Sequence, residues 1–314
     1  MARNPPERKQ KMQQGLLHTA TPLWTTIAAQ ITQHTRQPFN PDHISPAGGG
    51  CINQTFAVHA ADQSFFVKLN RAEYLAMFAA EAAGLEEMCN AASLRVPRPL
   101  CSGSGHGHAW LVLEYISLQQ QGNAAALGHG LAQMHRLTSE KFGWIRDNTI
   151  GSTPQPNPTE TDWIAFWRQH RLSHQLRLAR KNGYTGSLQS LGERLLSALP
   201  HFFTGYTPQP SLLHGDLWGG NFAFDDQGQP VIFDPAVYYG DRETDLAMTE
   251  LFGGFPASFY AAYHDAWPVD TGYATRKQLY NLYHILNHLN LFGPQYQSQT
   301  ETMMQQLLAG IDKP

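Results

Sequence analysis

The chain reads as an α+β protein of two lobes. A small β-rich N-terminal lobe covers residues 21–116 and a large helical C-terminal lobe covers 117–314, behind a flexible N-terminal tail of residues 1–20. Three observations predict this. In the first third, short β-branched and aromatic runs alternate with turn residues around one long Ala/Glu/Leu/Met-rich segment. From residue 123 onward, apolar residues recur at helical spacing in segment after segment. A strand-and-turn stretch, 211–234, interrupts those helices and carries His214, Asp216, Asn221 and Asp234.

The elements follow in order. An amphipathic helix is expected over 21–35, where Leu23, Ile27 and Ile31 share a face. Gly48-Gly49-Gly50 then precedes strands at 54–59 and 64–69, separated by a turn at Ala61-Asp62. Residues 71–90 have the composition of a strong helix. Strands at 96–100 and 110–116 flank a hairpin turn containing His106 and His108, and a linker over 114–122 joins the lobes. Helices are expected at 124–137, 160–182 and 188–199, with a polar Pro-containing loop at 154–159. Four more follow the strand-rich stretch, at 242–252, 257–266, 275–292 and 300–311.

Composition excludes several function classes. The 314 residues are 42% hydrophobic and 15% charged, with a mean hydropathy of −0.38. A formal net charge of −3 provides no basic field for nucleic acid. No apolar run approaches the roughly 20 residues that a membrane span needs. The first 14 residues are basic but lack the apolar core of a signal peptide. Three cysteines, Cys51, Cys89 and Cys101, make no secreted disulfide framework, so a cytoplasmic protein is expected.

The stretch from His214 to Asp234 supplies a carboxylate, an amide and a second carboxylate. Protein kinases place a catalytic Asp and a metal-binding Asn at the interval that Asp216 and Asn221 keep, with a second metal-binding Asp downstream, as Asp234 is here. The segment between them reads as a hairpin around Asp225-Asp226-Gln227-Gly228. With Gln227-Gly228 as a two-residue loop, Asn221 faces Asp234 and Phe222 faces Phe233, and Asn221, Ala223, Ile232 and Asp234 share one face. A wider loop is expected to move the register by two and keep those faces. Oxygen-bearing Asn221 and Asp234 at the open end suit Mg²⁺ together with nucleotide phosphates. Asp216 is the candidate general base, and His214 an orienting group for its loop.

Further candidates surround this centre. The glycines Gly48, Gly49 and Gly50 let backbone N–H groups approach phosphate. Cys51 beside them is a candidate for redox sensitivity, though a small residue in a tight loop explains it more simply. Lys68 lies on a strand among apolar neighbours, where a solvated surface charge is out of place, and resembles the strand lysine that holds nucleotide phosphates. Glu81 is its expected helix partner, with Glu73 and Glu86 as alternatives. Backbone groups near Glu114 and Ile116 suit an adenine edge. Asp241 suits a helix N-cap, and Asp245 a reach back to loop N–H groups. His284 and His288 lie one helical turn apart, but no third ligand accompanies them, so packing or substrate contact is expected rather than metal.

Taken together, these residues resemble the fructosamine (ketosamine) 3-kinase family. The likeness rests on Gly48-Gly49-Gly50-Cys51-Ile52-Asn53, Phe66-Val67-Lys68, Phe78-Ala79-Ala80-Glu81-Ala82 and Leu212 to Asn221. It continues through Phe233-Asp234-Pro235-Ala236, Tyr239-Gly240-Asp241-Arg242-Glu243, Asp245-Leu246-Ala247-Met248 and Leu282 to His288, with Phe292-Gly293. The resemblance implies a two-lobed protein-kinase-like fold close to aminoglycoside kinases. It implies ATP and Mg²⁺ as cofactors and transfer of the γ-phosphate to the third-carbon hydroxyl of ketosamines, free or on glycated protein lysines. Such 3-phosphates fall off and restore the amine, so the implied role is deglycation. Asp216 is then the base, Asn221 and Asp234 hold Mg²⁺, Lys68 and Glu81 serve the phosphates, Trp218 stacks on the sugar adduct and His288 touches substrate. Gly219 stands where many members have Ser. The alternatives are a kinase for an aminoglycoside- or choline-like hydroxyl and a nucleotide-binding pseudokinase.

Overall fold

The computed structural model describes residues 21–48 and 52–311. The N-terminal tail 1–20, Gly49, Gly50 and Cys51 therefore lie outside the described residues. The chain divides into two compact units, residues 1–86 with 97–117, and residues 87–96 with 118–314.

The first unit is built on an antiparallel five-stranded sheet. Its strands are β1 (His43–Pro46), β2 (Gln54–Ala60), β3 (Gln63–Arg71), β4 (Pro99–Gly105) and β5 (His108–Glu114), in the order β1-β2-β3-β5-β4. Helix α1 (Pro22–Thr35) starts where Thr21 accepts the Trp24 N–H and Pro22 pre-sets the first turn. Its buried stripe of Leu23, Trp24, Ile27 and Ile31 packs with Phe56, Val58, Val67, Leu69, Trp110 and Val112 from one face of the sheet. Alternation along β3 sends Phe66 and Lys68 to the other face. A hairpin turn is present as expected, but it holds only His106 and Gly107: Gly105 pairs His108, which stands on β5, and β4 runs over 99–105 rather than 96–100. β1 has no counterpart in the sequence reading. Helix α2 (Leu75–Ala91) follows a single 3₁₀ turn at Ala72–Tyr74 and buries Phe78, Ala80, Leu85 and Met88.

Helices dominate the second unit: α3 (Ala124–His135), α4 (Trp163–Phe166), α5 (Ser173–Lys181), α6 (Ser187–Ala198), α7 (Glu243–Leu251), α8 (Ala257–Ala266), α9 (Tyr273–Phe292) and α10 (Gln297–Ile311). A π-helical stretch, Trp167–Leu172, joins α4 to α5, so the single helix expected over 160–182 changes winding midway. There the buried Arg171 donates to the Pro156 carbonyl at 2.7 Å and Asn157 Oδ1 at 2.7 Å, and it stacks over Tyr238. Part of the expected loop 154–159 belongs to a small hairpin, β6 (Asn148–Ile150) with β7 (Thr153–Gln155).

Two more strand pairs carry the stretch from Ser211 to Gly240. β8 (Ser211–Leu213) pairs antiparallel with β11 (Tyr238–Gly240), and β9 (Phe222–Phe224) with β10 (Pro230–Ile232). All three β8 residues are buried, which fixes the start of the 214–221 loop against the core. No helix among the described residues is long and apolar enough to cross a membrane.

Candidate active site

The hairpin register differs from the expected one by a single residue. Asn221 is opposite Phe233, whose N–H donates to its carbonyl at 3.0 Å, and Phe222 pairs with Ile232, Ala223 with Val231 and Phe224 with Pro230. The cause is a three-residue turn. The Gly228 N–H donates to the Asp225 carbonyl and the Asp225 N–H to the Gln229 carbonyl, with Gly228 at φ 74°. This is a turn followed by a left-handed residue, for which glycine has no steric cost. The Asp225 carboxylate fixes it by accepting the N–H groups of Gln227 and Gln229 and an ion pair from Arg95 at 2.6 Å. A one-residue slip exchanges faces, so Asn221 and Asp234 are not cross-strand partners.

They meet by another route. Asp234 leaves the strand in the left-handed region, φ 58°, a conformation Asp tolerates better than most residues and one that concentrates at functional sites. The buried Asn221 donates through Nδ2 to the Asp216 carbonyl at 2.8 Å, to Asp216 Oδ2 at 3.1 Å and to the Asp234 carbonyl at 3.5 Å. Asp216, Asn221 and Asp234 thus converge as a set. Desolvation, reinforced by the nearby Asp234 charge, pushes the Asp216 carboxyl well above the usual Asp range, against the lowering hydrogen bond from Asn221. Two carboxylates this close call for a cation. With its Nδ2 committed to Asp216, Asn221 has Oδ1 accepting no hydrogen bond among the described residues. That oxygen and the Asp234 carboxylate are hard donors of the kind Mg²⁺ takes when phosphates and waters fill its other positions. The described residues hold no group of three or more His, Cys, Asp or Glu able to bind a metal, so a cation here depends on the amide oxygen and on phosphate.

The loop around Asp216 is pinned from below. Asp245, buried in α7, accepts the backbone N–H of His214 at 2.7 Å and of Gly215 at 2.8 Å. Burial works to raise its pKa, but the His135 hydrogen bond and surrounding charges outweigh that and lower it. The reach to loop N–H groups expected from sequence is therefore present. His214 accepts the Asp216 N–H on Nδ1 at 3.2 Å and donates from Nε2 to the Phe233 carbonyl at 2.9 Å, a neutral orienting group whose pKa burial lowers. Gly215 sits at φ 81°, and a Cβ there would lie 2.1 Å from the Ala236 carbonyl oxygen. Glycine is the residue that fits where protein kinases carry Arg. The cap position of α7 is Arg242 and not Asp241 as expected; Asp241, one residue earlier, accepts the Glu243 N–H and also the hydroxyls of Tyr280 at 2.5 Å and Tyr206 at 2.9 Å.

Trp218 and His288 lie on one aromatic strip. Trp218, 39% exposed, meets Phe252 edge-on at 6.1 Å; Phe252 meets His288 at 5.1 Å; His288 contacts Phe292 and Tyr296. Phe252 and Tyr296 were not singled out from sequence, since lone aromatics carry no signal of shared location. His284 is buried, and desolvation with the neighbouring His288 lowers its pKa from 6.5 to about 3, against the attraction of Asp245. Its folded pKa lies below its unfolded value, so its contribution to stability is present above pH 6.5 and is lost as pH falls towards 3. Urea unfolding at pH 7 and pH 5 should show His284→Gln losing about 2 kcal/mol less than the parent chain between those values. Equal losses would remove His284 as a source of acid sensitivity.

In the first unit, Lys68 is 3% exposed on the central strand β3 and forms an ion pair with Glu81 of α2, the partner expected over Glu73 and Glu86. A buried pair contributes little net stability, because desolvation offsets attraction; holding Nζ in place for a ligand is the better account of its presence. Gly48 is exposed at the start of the glycine segment. The segment's flanks are tied down: the Ala47 N–H donates to the Thr55 carbonyl, and Asn70 Nδ2 donates to Asn53 Oδ1 at 2.8 Å. Glu114 closes β5 against the Arg98 carbonyl, and the Ile116 backbone groups have no hydrogen-bond partner among the described residues, as an adenine contact would require.

Comparison with known proteins decides the lineage. The fructosamine kinase family profile matches residues 23–310. The chain belongs to the fructosamine kinase family. It is 49% identical over 288 residues to a protein of Synechocystis named a probable ketoamine kinase, covering 91% of this chain and 97% of that one. It is 42% identical over 289 residues to the chloroplastic protein-ribulosamine 3-kinase of Arabidopsis thaliana, covering 91% of this chain and 86% of the relative. A crystal structure from Haemophilus somnus, assigned to the fructosamine-3-kinases, superposes with a TM-score of 0.83 at 29% identity, over 91% of this chain and 97% of the other. An aminoglycoside phosphotransferase shares the fold alone, at 12% identity and a TM-score of 0.60. The kinase-like fold expected of this family member, a β-sheet N-terminal region followed by a helical C-terminal region, is thus present.

Proposed function

We propose that this chain is an ATP-dependent kinase of ketosamines, phosphorylating the sugar 3-hydroxyl of fructosamine- or ribulosamine-type adducts on small amines or protein lysines. The observation that carries the reading is the convergence of Asp216, Asn221 and Asp234 on a loop held by buried Asp245, in a member of this family.

Asp216 orients the acceptor hydroxyl and takes its proton as that oxygen bonds to the γ-phosphorus, while the bond to the β–γ bridging oxygen breaks and ADP leaves. Asn221 Oδ1 and the Asp234 carboxylate hold Mg²⁺, which when bound neutralises charge on the phosphate oxygens. Lys68, steadied by Glu81, pairs with the nucleotide phosphates; backbone N–H groups at Gly48, Gly49 and Gly50 cradle them; and backbone groups at Glu114 and Ile116 take the adenine edge. Trp218 stacks on the sugar adduct and His288 lies beside the substrate. Loss of the unstable 3-phosphate restores the amine, which makes the activity a deglycation. Burial pushes the Cys101 thiol up to about 11, and three cysteines without a disulfide framework suit the cytoplasmic setting we assign.

The test is ATP consumption with ribulosamine, erythrulosamine, fructosamine, kanamycin and choline as acceptors. Turnover of the ketosamines is expected; turnover of kanamycin or choline alone, or of nothing, would overturn the reading. Trp218→Ala should raise KM for the ketosamine by roughly 10-fold, the order of one aromatic stacking contact, and leave KM for ATP in place. Equal rises in both would contradict the stacking role.

A further inference from the structure

Asp234 holds its left-handed backbone, φ 58°, immediately before Pro235. Proline drives the residue before it towards extended conformations. This backbone is therefore disfavoured twice over, and it persists only where its surroundings over-determine it. Upstream, the Phe233 N–H donates to the Asn221 carbonyl, and the Phe233 carbonyl accepts from His214 Nε2 at 2.9 Å. Downstream, the Ala236 N–H donates to the His214 carbonyl at 2.8 Å. The next two carbonyls are taken by the β6–β7 hairpin. Asn148 Nδ2 donates to the Val237 carbonyl at 2.7 Å and Gln155 Nε2 to the Ala236 carbonyl at 3.2 Å.

A cation sets the direction of these amides. Arg171 is buried and can only donate; it meets the Pro156 carbonyl, Asn157 Oδ1 and three aromatic rings, with no carboxylate in an ion pair to it among the described residues. Asn157 Oδ1 is thus an acceptor, and its Nδ2 donates to Asn148 Oδ1 at 3.0 Å. Gln155 Nε2 donates to the same oxygen at 2.8 Å, while its Oε1 accepts the Tyr283 hydroxyl at 2.7 Å. A flipped Asn148 would set its own N–H groups against two donors and its oxygen against the Val237 carbonyl. The π-helical stretch that places Arg171 therefore ends, through Asn157, in two amide donors of fixed aim.

We propose that Asn148 and Gln155 are positioning residues for the cation end of the site: they clamp the Val237 and Ala236 carbonyls and so hold the Asp234 carboxylate where it serves Mg²⁺ together with Asn221 Oδ1. The inference rests on the kinase reading of Asp234, and it adds two groups that touch neither metal nor substrate. Without the clamp, Asp234 relaxes from its left-handed backbone towards the extended conformations that Pro235 favours, and its carboxylate draws away from Asn221. Groups that orient metal ligands from behind are worth about 10- to 100-fold in metal affinity.

The test titrates Mn²⁺, as a spectroscopic stand-in for Mg²⁺, into the chain saturated with ADP and follows the free ion by electron paramagnetic resonance. Gln155→Met keeps the side-chain length and removes the donor to Ala236. Asn148→Ser is the milder change: it keeps an oxygen for Gln155 and Asn157 but falls short of Val237. Leu307→Ala, in the buried face of α10, is the control for lost stability, which thermal unfolding measures in all three. Gln155→Met and Asn148→Ser should weaken Mn²⁺ binding by roughly 10-fold. The Mg²⁺ needed for half-maximal turnover of a ribulosamine should rise by the same factor, with KM for the ribulosamine unchanged. Leu307→Ala should lose at least as much stability and keep the parent's Mn²⁺ affinity. Parent-like Mn²⁺ affinity in both hairpin variants would overturn the proposal, as would an equal loss in Leu307→Ala. The titration needs no ketosamine, so a parent chain inert towards ketosamines would sink the functional reading while Mn²⁺ binding still judged the clamp.

Discussion

Asp216→Asn is expected to lower kcat for ketosamine phosphorylation by about 10²–10⁴-fold while leaving nucleotide affinity in place. The amide keeps the size of the carboxylate but cannot take the acceptor proton. Asn221 would lose the Oδ2 acceptor at 3.1 Å, yet it would retain the Asp216 carbonyl at 2.8 Å, so the metal-side geometry survives the change. Removing one of two neighbouring carboxylates also relieves repulsion with Asp234, so the variant should be no less stable than its parent. Single-turnover kinetics with titrated ATP separates these effects. A variant with full kcat would remove Asp216 from the chemistry, and one that lost ATP binding to the same degree would make it a nucleotide ligand instead.

Lys68→Met carries the second large effect. Methionine matches the apolar stem of Lys68, but it leaves the Glu81 carboxylate, 11% exposed, without the ammonium it pairs with. Breaking a buried pair from one side costs about 3–5 kcal/mol, whereas replacing both partners by apolar groups is often neutral. Lys68→Met should therefore unfold at lower urea than the parent, and Lys68→Met/Glu81→Leu should regain most of that loss. Activity should not follow stability: both variants should lose on the order of 10²–10³-fold in kcat/KM for ATP, the scale of a missing charge clamp on a transferred phosphoryl group. Recovery of activity together with stability in the double variant would mean that the pair holds α2 on the sheet and nothing more.

What sequence could show and what it could not divides by distance along the chain. The interval from Asp216 to Asn221 is closed by hydrogen bonds within one loop, so its spacing alone announced the contact. Lys68 stood out as a charge among apolar strand neighbours, and Glu81 as a charge on an apolar row of α2; burial of both explains each anomaly. The β9–β10 register was not legible, because the choice between a two- and a three-residue turn is settled by the Asp225 carboxylate and by Arg95, 130 residues away. His135 gave no local signal for the same reason: it reads as one more residue of a helix until α7 and α8 bring Asp245 and Tyr263 to its ring. Three-residue strands such as β6 and β7 are too short for a two-residue period to emerge. The π-helical turn at Trp167–Leu172 is occupied by the packing of buried Arg171, which no periodicity encodes.

The account is tested most directly by phosphorus–proton NMR of the product formed from ATP and a ribulosamine or fructosamine. The predicted result is one new phosphomonoester whose phosphorus couples to the proton on the sugar's third carbon, formed by the parent chain and absent with Asp216→Asn. An ester at another carbon, or the same ester at an undiminished rate from Asp216→Asn, would contradict it.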